Sequence, residues 1–174
     1  LDKSQGFVGV GWDAVLAMIF LTFFSESGKP VFFPDITYTF YDVWANLFKI
    51  PFERKALNDS FEMCAEDYYE TNGGVIFPNP NAPTGTAVSL SFIEDVLEHN
   101  KDVIVVIDEA YVDFGAESAL SLVDKYDNLL VVQTFSKSRS TAGLRIGYAM
   151  GNQELIAALN AYSPVVVVHI EARR

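Results

Sequence analysis

Residues 103–114 read VIVVIDEAYVDF, in which a fully apolar run over residues 103–107 ends at an aspartate and a glutamate. A continuous run of apolar, mostly β-branched residues is typical of a strand that is buried on both faces of a parallel sheet. Asp108 then stands at the carboxyl end of that strand, which is where open α/β sheets bind their ligands. The segment therefore predicts an α/β protein whose functional residues collect at strand ends.

The rest of the chain alternates between short strand-like runs and helical patterns. Strands are predicted over residues 31–33, 50–54, 74–77, 103–107, 129–133 and 144–149. Helices are predicted over residues 13–25, 37–47, 91–100, 118–125 and 153–161, the third opened by a capping box from Ser91 to Glu94. Alternation of this kind predicts a three-layer α/β/α architecture with a mostly parallel sheet.

Composition limits the classes of function. The 174 residues are half hydrophobic, which suffices for one domain with a buried core. The formal net charge of -11 has the wrong sign for binding a phosphate backbone, and the longest apolar stretch, residues 14–24, is shorter than the ~20 residues of a membrane span. Cys64 is the single cysteine, and the two histidines form no zinc-ligand pattern. We expect a cytoplasmic protein with no metal site and no nucleic-acid or membrane partner.

Two further polar segments follow predicted strands: residues 79–85 read NPNAPTG and residues 134–137 read TFSK. An aspartate after an apolar strand also holds magnesium in nucleotide hydrolases, but this chain has no Gly-x-x-x-x-Gly-Lys-[Ser/Thr] phosphate loop. Pyridoxal phosphate is a better match, because it needs a lysine for its aldehyde, an acid for its ring nitrogen and cationic donors for its phosphate. Lys137, Asp108 and Arg145 can supply these groups.

Three segments carry a resemblance to a known family. They are NPNAPTG at residues 79–85, DEAYVDF at 108–114 and TFSKSRSTAGLRIGY at 134–148. In order and spacing they resemble the fold-type I pyridoxal-phosphate-dependent aminotransferases, and among these most closely the histidinol-phosphate aminotransferases. The resemblance implies that residues 1–161 form the cofactor-binding large domain of a longer enzyme, followed by an unmatched tail over residues 162–174.

The resemblance implies a role for four residues. Lys137 would bond to the cofactor aldehyde and later move a proton at the substrate α-carbon. Asp108 would pair with the ring nitrogen, Tyr111 would donate to the phenolate oxygen, and Arg145 would bind the phosphate.

Further residues complete the implied cofactor site. Backbone N–H groups at a helix start favour an anion, and the resemblance places the phosphate at such a start. Tyr38 matches the aromatic residue that stacks on the cofactor ring. The remaining implied contributors are Gly11, Trp12, Asp13, Asn81, Thr134 and Ser136.

Two positions depart from the family pattern. Trp12 stands where the family usually has a small residue, often serine, and its indole is large enough to crowd the phosphate. Ala82 stands where an asparagine commonly precedes Pro-Thr-Gly and bonds to the phenolate oxygen. Either Asn81 or Asn79 substitutes for it, or Tyr111 makes that contact alone.

The implied activity is transamination between a small-molecule amino donor and a keto-acid acceptor, with histidinol phosphate and 2-oxoglutarate as the pair, in histidine biosynthesis. The resemblance also implies a homodimer. Two alternatives remain open. The chain is a non-catalytic large-domain fragment, or it serves another fold-type I reaction such as decarboxylation or aldol cleavage, because the cofactor supplies the chemistry common to all of them.

Overall fold

The computed structural model describes residues 2–162, which form a seven-stranded sheet covered by helices. The strands are β1 (Gly6–Val10), β2 (Val31–Pro34), β3 (Phe52–Lys55), β4 (Gly74–Pro78), β5 (Val105–Asp108), β6 (Leu129–Thr134) and β7 (Ile146–Gly151). The helices are α1 (Trp12–Ile19), which continues as a π-helical turn over Phe20–Phe24, α2 (Phe40–Leu47), α3 (Leu90–His99) and α4 (Gln153–Tyr162). In this part of the chain no helix is long and apolar enough to cross a membrane. Residues 163–174, which make up nearly all of the predicted tail, lie outside the described residues.

The strand order across the sheet is β1-β7-β6-β5-β4-β2-β3. The pairs from β6 through β3 are parallel, whereas β7 runs antiparallel to both β6 and β1. The predicted three-layer fold with a mostly parallel sheet is therefore confirmed. β1 has no counterpart among the predicted strands, because the glycines at positions 6 and 9 weaken its strand pattern.

Alternate residues of the central strands point into two separate cores. On one face, Ile76, Val106 and Leu130 pack together with α1, α2 and α4. On the other face, Val105 and Val131 pack together with α3. Each fully buried side chain of this size contributes about 1.5–3 kcal/mol of transfer free energy. The two cores hold the central strands, and with them the residues at the strand ends, in fixed positions.

Two predicted helices begin at the wrong residue. α2 begins at Phe40 rather than at residue 37, because Thr37 lies before the helix and donates its hydroxyl to Asn81 at 2.8 Å. α3 is capped by Ser89, whose hydroxyl accepts a first-turn backbone N–H at 3.2 Å. The predicted capping box that begins at Ser91 is therefore wrong.

The predicted helix over residues 118–125 is only a short 3-10 helix, Ala119–Leu122. The carboxylate of Glu109 holds its start, accepting from the backbone N–H of Ala119 at 2.6 Å and from the hydroxyl of Ser118 at 2.7 Å. Gln133 donates to the same carboxylate at 2.7 Å. Burial raises the pKa of Glu109. This acid therefore organises the chain after β5, while its neighbour Asp108 faces the site described next.

Candidate active site

The predicted functional segments meet at the carboxyl ends of the central strands. The parallel register sets Pro78 of β4 opposite Asp108 of β5, and Thr134 ends β6. Because β7 runs antiparallel, its first residues return to the same edge, where Gly147 pairs with Thr134. Arg145 immediately precedes β7 and so enters from this edge as well. The topology thus brings the three motifs to one place.

The carboxyl group of Asp108 is almost completely buried (1% exposed) and accepts three hydrogen bonds. Tyr41 donates its hydroxyl to Oδ2 at 2.6 Å, while Trp12 Nε1 and the backbone N–H of Ala110 both donate to Oδ1 at 3.1 Å. Burial raises the pKa of Asp108 from 3.8 to about 7, since these hydrogen bonds offset only part of the desolvation. Asp108 can therefore exchange a proton near neutral pH.

Tyr41 is a site residue that the sequence does not reveal. The pattern of α2 places Tyr41 and Ala45 on its buried face, but that pattern carries no signal for the partner of the hydroxyl. Tyr41 and Asp108 are 67 positions apart in the chain, so only the tertiary fold pairs them. Burial and the nearby carboxylate raise the pKa of Tyr41, which keeps the phenol a hydrogen-bond donor.

Trp12 extends from the start of α1 to Asp108 and lies beside Tyr38. The two ring centroids are 4.5 Å apart, with the planes tilted by 54°. The hydroxyl of Tyr38 donates to Oδ1 of Asp13 at 2.9 Å, and burial raises the pKa of Tyr38. The indole N–H is thus directed at Asp108, the acid predicted for the ring nitrogen. This contact differs from the expected one, in which the indole crowds the phosphate.

The predicted phosphate end is built from Gly11, Asp13 and Arg145. Gly11 is the N-cap of α1 and has a φ of +85°, and a β-carbon there would lie 2.5 Å from Nη2 of Arg145. The guanidinium therefore lies against the backbone at the helix start. Among residues 2–162, no side chain makes a capping hydrogen bond at the start of α1. Nη2 also lies 3.5 Å from Oδ2 of Asp13. A cation beside free N–H groups of a helix start is suited to an anion.

Two backbone features aim Arg145 at the start of α1. Arg145 itself has a φ of +49°, a left-handed conformation that residues other than glycine rarely adopt. Two residues later, a β-carbon on Gly147 would lie 2.6 Å from both the backbone nitrogen and the α-carbon of Trp12. This close approach packs β7 against the helix start, so that the guanidinium and the helix N–H groups face one site.

Lys137 lies on an exposed loop between β6 and β7, with its Nζ 4.8 Å from the centroid of the Tyr111 ring. The loop is closed by two backbone hydrogen bonds, from Ser140 to the carbonyl of Lys137 at 3.0 Å and from Thr141 to that of Phe135 at 3.1 Å. The structure therefore brings together the lysine and the phenol that the sequence singles out.

The turn after β5 anchors the same loop. The hydroxyl of Ser138 donates to the carboxylate of Asp113, and Nε of Arg139 lies 3.9 Å from that carboxylate. The guanidinium of Arg139 also packs over the ring of Phe135, 4.9 Å from its centroid. These contacts assign Ser138 and Arg139 to holding the lysine loop.

Thr134 and Ser136 are linked to each other at the start of this loop. The hydroxyl of Thr134 accepts the backbone N–H of Ser136 at 3.1 Å and donates to the carbonyl of Ile146 at 3.4 Å. Thr134 is buried, and its hydroxyl fixes the first turn before Lys137. Their predicted contributions to the cofactor site stay predictions.

The two asparagines that could replace the missing family asparagine are engaged in hydrogen bonds. Asn81 uses both hydrogens of Nδ2, donating to a backbone carbonyl at 2.9 Å and to a threonine hydroxyl at 3.0 Å, and its Oδ1 accepts from Thr37. Asn79 is bonded in both directions to the backbone of Val88. This arrangement favours Tyr111 as the donor to a phenolate oxygen.

Comparison with known sequences identifies relatives over most of the chain. A family model described as aminotransferase class I and II matches residues 1–170. The histidinol-phosphate aminotransferase of Pseudomonas putida (strain W619) is 57% identical over 159 residues, which are 91% of this chain and 45% of that protein. The chain thus spans about half the length of the curated relatives that it matches.

Solved structures share the fold. The histidinol-phosphate aminotransferase from Clostridium acetobutylicum superposes with a TM-score of 0.83 at 21% identity, over 92% of this chain and 49% of that one. A decarboxylase from Sulfurospirillum multivorans superposes with a TM-score of 0.81 at 26% identity, over 94% of this chain and 49% of that one. With a family model that matches nearly every residue and motifs that meet at one edge of the sheet, the chain belongs to the aminotransferase class I and II family.

Proposed function

We propose that this chain is the cofactor-binding domain of a histidinol-phosphate aminotransferase, which uses pyridoxal phosphate to pass an amino group from histidinol phosphate to 2-oxoglutarate. The observation that carries the proposal is the assembly of Asp108, Lys137 and Arg145 at one edge of the sheet, on the motifs of that family. The 57% identity to a histidinol-phosphate aminotransferase supports the choice of substrate.

The anion-binding end of the site fits the phosphate group. Arg145 offers a planar guanidinium, which binds phosphate oxygens in pairs, and the start of α1 offers backbone N–H groups and a positive helix dipole. Gly11 has no side chain, so it leaves these donors uncovered. A side chain at this position would also collide with the guanidinium. A phosphate held at this end would anchor the cofactor to the junction of β1, α1 and β7.

The acid at the other end fits the ring nitrogen. A carboxylate has about four lone-pair positions for hydrogen bonds. In Asp108, Oδ1 accepts two hydrogen bonds and Oδ2 accepts one, so Oδ2 keeps a position for a ring N–H. Tyr41 and Ala110 hold the carboxyl group in place for that contact.

Pyridoxal phosphate supplies the electron sink that makes the substrate α-carbon acidic. The residues of this chain orient that chemistry. The amine of Lys137 removes and returns the proton at the α-carbon, while Asp108 keeps the hydrogen bond to the ring nitrogen. Tyr111 donates to the phenolate oxygen, and Arg145 prevents the ring from shifting during the proton transfer.

We also propose that the complete protein is a cytoplasmic homodimer. The exposed face of α2 carries Phe40, Val43 and Leu47, which are 41%, 46% and 62% exposed. Their spacing puts them on one side of the helix, and an apolar face of this kind is typical of a surface that another segment or subunit covers. A single cysteine is consistent with a reducing compartment.

A decarboxylase is the second candidate. The similarity to the Sulfurospirillum multivorans decarboxylase supports it, because 26% identity and a TM-score of 0.81 extend over 94% of this chain. Amino transfer and decarboxylation use the same lysine, acid and phosphate site, because the cofactor supplies the chemistry that is common to both. The higher identity to the histidinol-phosphate aminotransferase favours amino transfer.

The test of the proposed function is a titration of the full chain with pyridoxal phosphate, followed by the amino donor. We expect a visible absorption band that saturates with cofactor and then bleaches when histidinol phosphate is added, with a keto product. An amino acid added in its place should release no carbon dioxide. Carbon dioxide release from an amino acid would support the decarboxylase instead. Cofactor binding without amino transfer would support the alternative of a large-domain fragment without turnover.

A further inference from the structure

Trp12 contacts two residues that are expected to contact the ring of the cofactor. Its Nε1 donates to Oδ1 of Asp108 at 3.1 Å, the acid assigned to the ring nitrogen. Its ring centroid lies 4.5 Å from that of Tyr38, the residue that the family resemblance expects to stack on the cofactor. An indole is flat and aromatic and carries an N–H in its plane, as a protonated pyridine ring does.

The indole is held in this position from several sides. Trp12 is the first residue of α1, and its backbone is packed against Gly147, where a β-carbon would lie 2.6 Å away. Tyr38 is itself fixed by its hydroxyl bond to Asp13 at 2.9 Å and by an edge contact with Tyr41, with ring centroids 5.7 Å apart. Trp12 is half-buried and packs against the core that contains α1. These contacts define one place for the side chain.

There is no room for a second ring between Trp12 and Tyr38. Packed carbon atoms approach to about 3.5 Å, so an inserted ring would separate its two neighbours by roughly 7 Å. The centroids of Trp12 and Tyr38 are only 4.5 Å apart. A pyridine ring stacked on this face of Tyr38 therefore requires the indole to move.

We propose that the indole of Trp12 is an internal ligand of the ring site, which must leave Tyr38, and with it the hydrogen bond to Oδ1 of Asp108, before the ring of pyridoxal phosphate can stack on Tyr38. This inference rests on the proposed function. The cofactor then binds only to the fraction of molecules whose indole has moved, so its apparent affinity is reduced by that fraction. The phosphate end, which depends on Gly11 and Arg145, does not require the movement.

Two substitutions separate the parts of this competition. Trp12→Ala removes the indole without adding a polar group, whereas Trp12→Phe keeps an aromatic ring beside Tyr38 and removes the N–H that reaches Asp108. The control is Trp44→Phe, because Trp44 is the other tryptophan and packs between Phe40 and Phe48 on α2. Dissociation constants for pyridoxal phosphate and for inorganic phosphate are measured on each full chain, together with the melting temperature without either ligand.

We expect Trp12→Ala to bind pyridoxal phosphate at least tenfold more tightly than the unchanged chain, with Trp12→Phe between the two. Inorganic phosphate should bind all of these proteins within about twofold, because it tests only the anion end. Trp12→Ala should also melt at a lower temperature. A loss of stability together with a gain of affinity is a combination that a purely structural residue does not produce.

Three results would overturn the inference. Equal or weaker cofactor binding by Trp12→Ala, while the unchanged chain binds the cofactor, contradicts the competition and leaves the proposed function intact. If Trp12→Ala does not fold, equal or weaker binding by Trp12→Phe contradicts it in the same way. If folded chains with and without the substitution all fail to bind pyridoxal phosphate, the proposed function fails and this inference fails with it.

Discussion

The guanidinium of Arg145 rests on the backbone of Gly11 so closely that a β-carbon at residue 11 would lie 2.5 Å from Nη2. The contact joins two residues with positive φ, a glycine at +85° that begins a helix and an arginine at +49° that precedes a strand. Because both residues have a positive φ, the guanidinium of Arg145 and the start of α1 face the same space. The site for an anion therefore depends on this pair.

Gly11→Ala is expected to displace Arg145 and to weaken binding of pyridoxal phosphate by tenfold or more. The substitution also places a side chain at positive φ, which costs roughly 1–2 kcal/mol of stability. Gly28→Ala is the matched control, because Gly28 has a φ of +64° and would place its β-carbon more than 4 Å from other atoms. Equal cofactor affinities of the two variants, measured by absorption titration, would contradict the role of the contact.

Stability should fall as the pH rises from 4 to 7, in part because of Asp108. Its pKa of about 7 lies above the ordinary 3.8, so in this range the folded chain keeps a proton that the unfolded chain has lost. The unfolded chain then binds fewer protons, and the free energy of unfolding decreases by up to about 1.4 kcal/mol per pH unit for one such group. Asp108→Asn should remove this part of the slope.

The measurement for Asp108 is urea unfolding at pH 4.5, 6 and 7.5, followed by circular dichroism. Asp102→Asn is the control, because it makes the same change of side chain at an exposed position outside the site. Glu109, whose pKa is also raised by burial, is present in all three proteins, so the difference isolates Asp108. Identical slopes in Asp108→Asn and the unchanged chain would show that Asp108 does not titrate in this range.

Tyr41→Phe should destabilise the chain more at pH 8 than at pH 5. In the unchanged chain the hydrogen bond from Tyr41 lowers the pKa of Asp108, because it stabilises the carboxylate more than the neutral acid. The substitution therefore costs more stability where Asp108 is charged. A hydrogen bond to a charged group contributes about 1.5–3 kcal/mol, and a bond to a neutral group contributes about 1 kcal/mol.

Tyr68→Phe is the control for Tyr41→Phe. Tyr68 is also buried, but within residues 2–162 its hydroxyl has no hydrogen-bond partner. Removing that hydroxyl should therefore leave stability unchanged or raise it at both pH values. Chemical unfolding measures both variants, and an equal effect of the two substitutions would speak against the Tyr41–Asp108 bond.

Gly147→Ala should push β7 away from the start of α1. Its β-carbon would lie 2.6 Å from backbone atoms of Trp12, which cannot move aside as a flexible side chain could. Overpacking of this kind costs roughly 1–3 kcal/mol. Gly143→Ala is the control, since nothing lies within 4 Å of its β-carbon, and it should change stability by less than about 0.5 kcal/mol. Comparable losses in urea unfolding would argue against close packing at Gly147.

The elements that could be predicted from sequence are those with a strong local signal. The apolar run of β5 and the acid that follows it identify a buried strand and a strand-end Asp108 without further context. Lys137 and Arg145 are found because they stand within one continuous motif, and the antiparallel β7 returns that motif to the same edge. Such residues depend on neighbours that are close in the chain.

The features that could not be predicted depend on distant contacts. Tyr41 reaches Asp108 across 67 positions, and Trp12 reaches it across 96, so neither hydrogen bond leaves a trace in the local pattern. The segment 118–125 has helical composition, yet the carboxylate of Glu109 holds its start in a different conformation. In these places tertiary contacts outweigh local preference.

The proposed function depends above all on Lys137 as the residue that bonds to the cofactor. The measurement is borohydride reduction of the full chain after incubation with pyridoxal phosphate, followed by peptide mapping by mass spectrometry. Lys29→Ala serves as the control, because Lys29 is exposed and belongs to none of the three motifs. We predict one stable adduct on Lys137, retained in Lys29→Ala and absent from a folded Lys137→Ala variant. A saturable adduct that persists in Lys137→Ala would contradict the assignment.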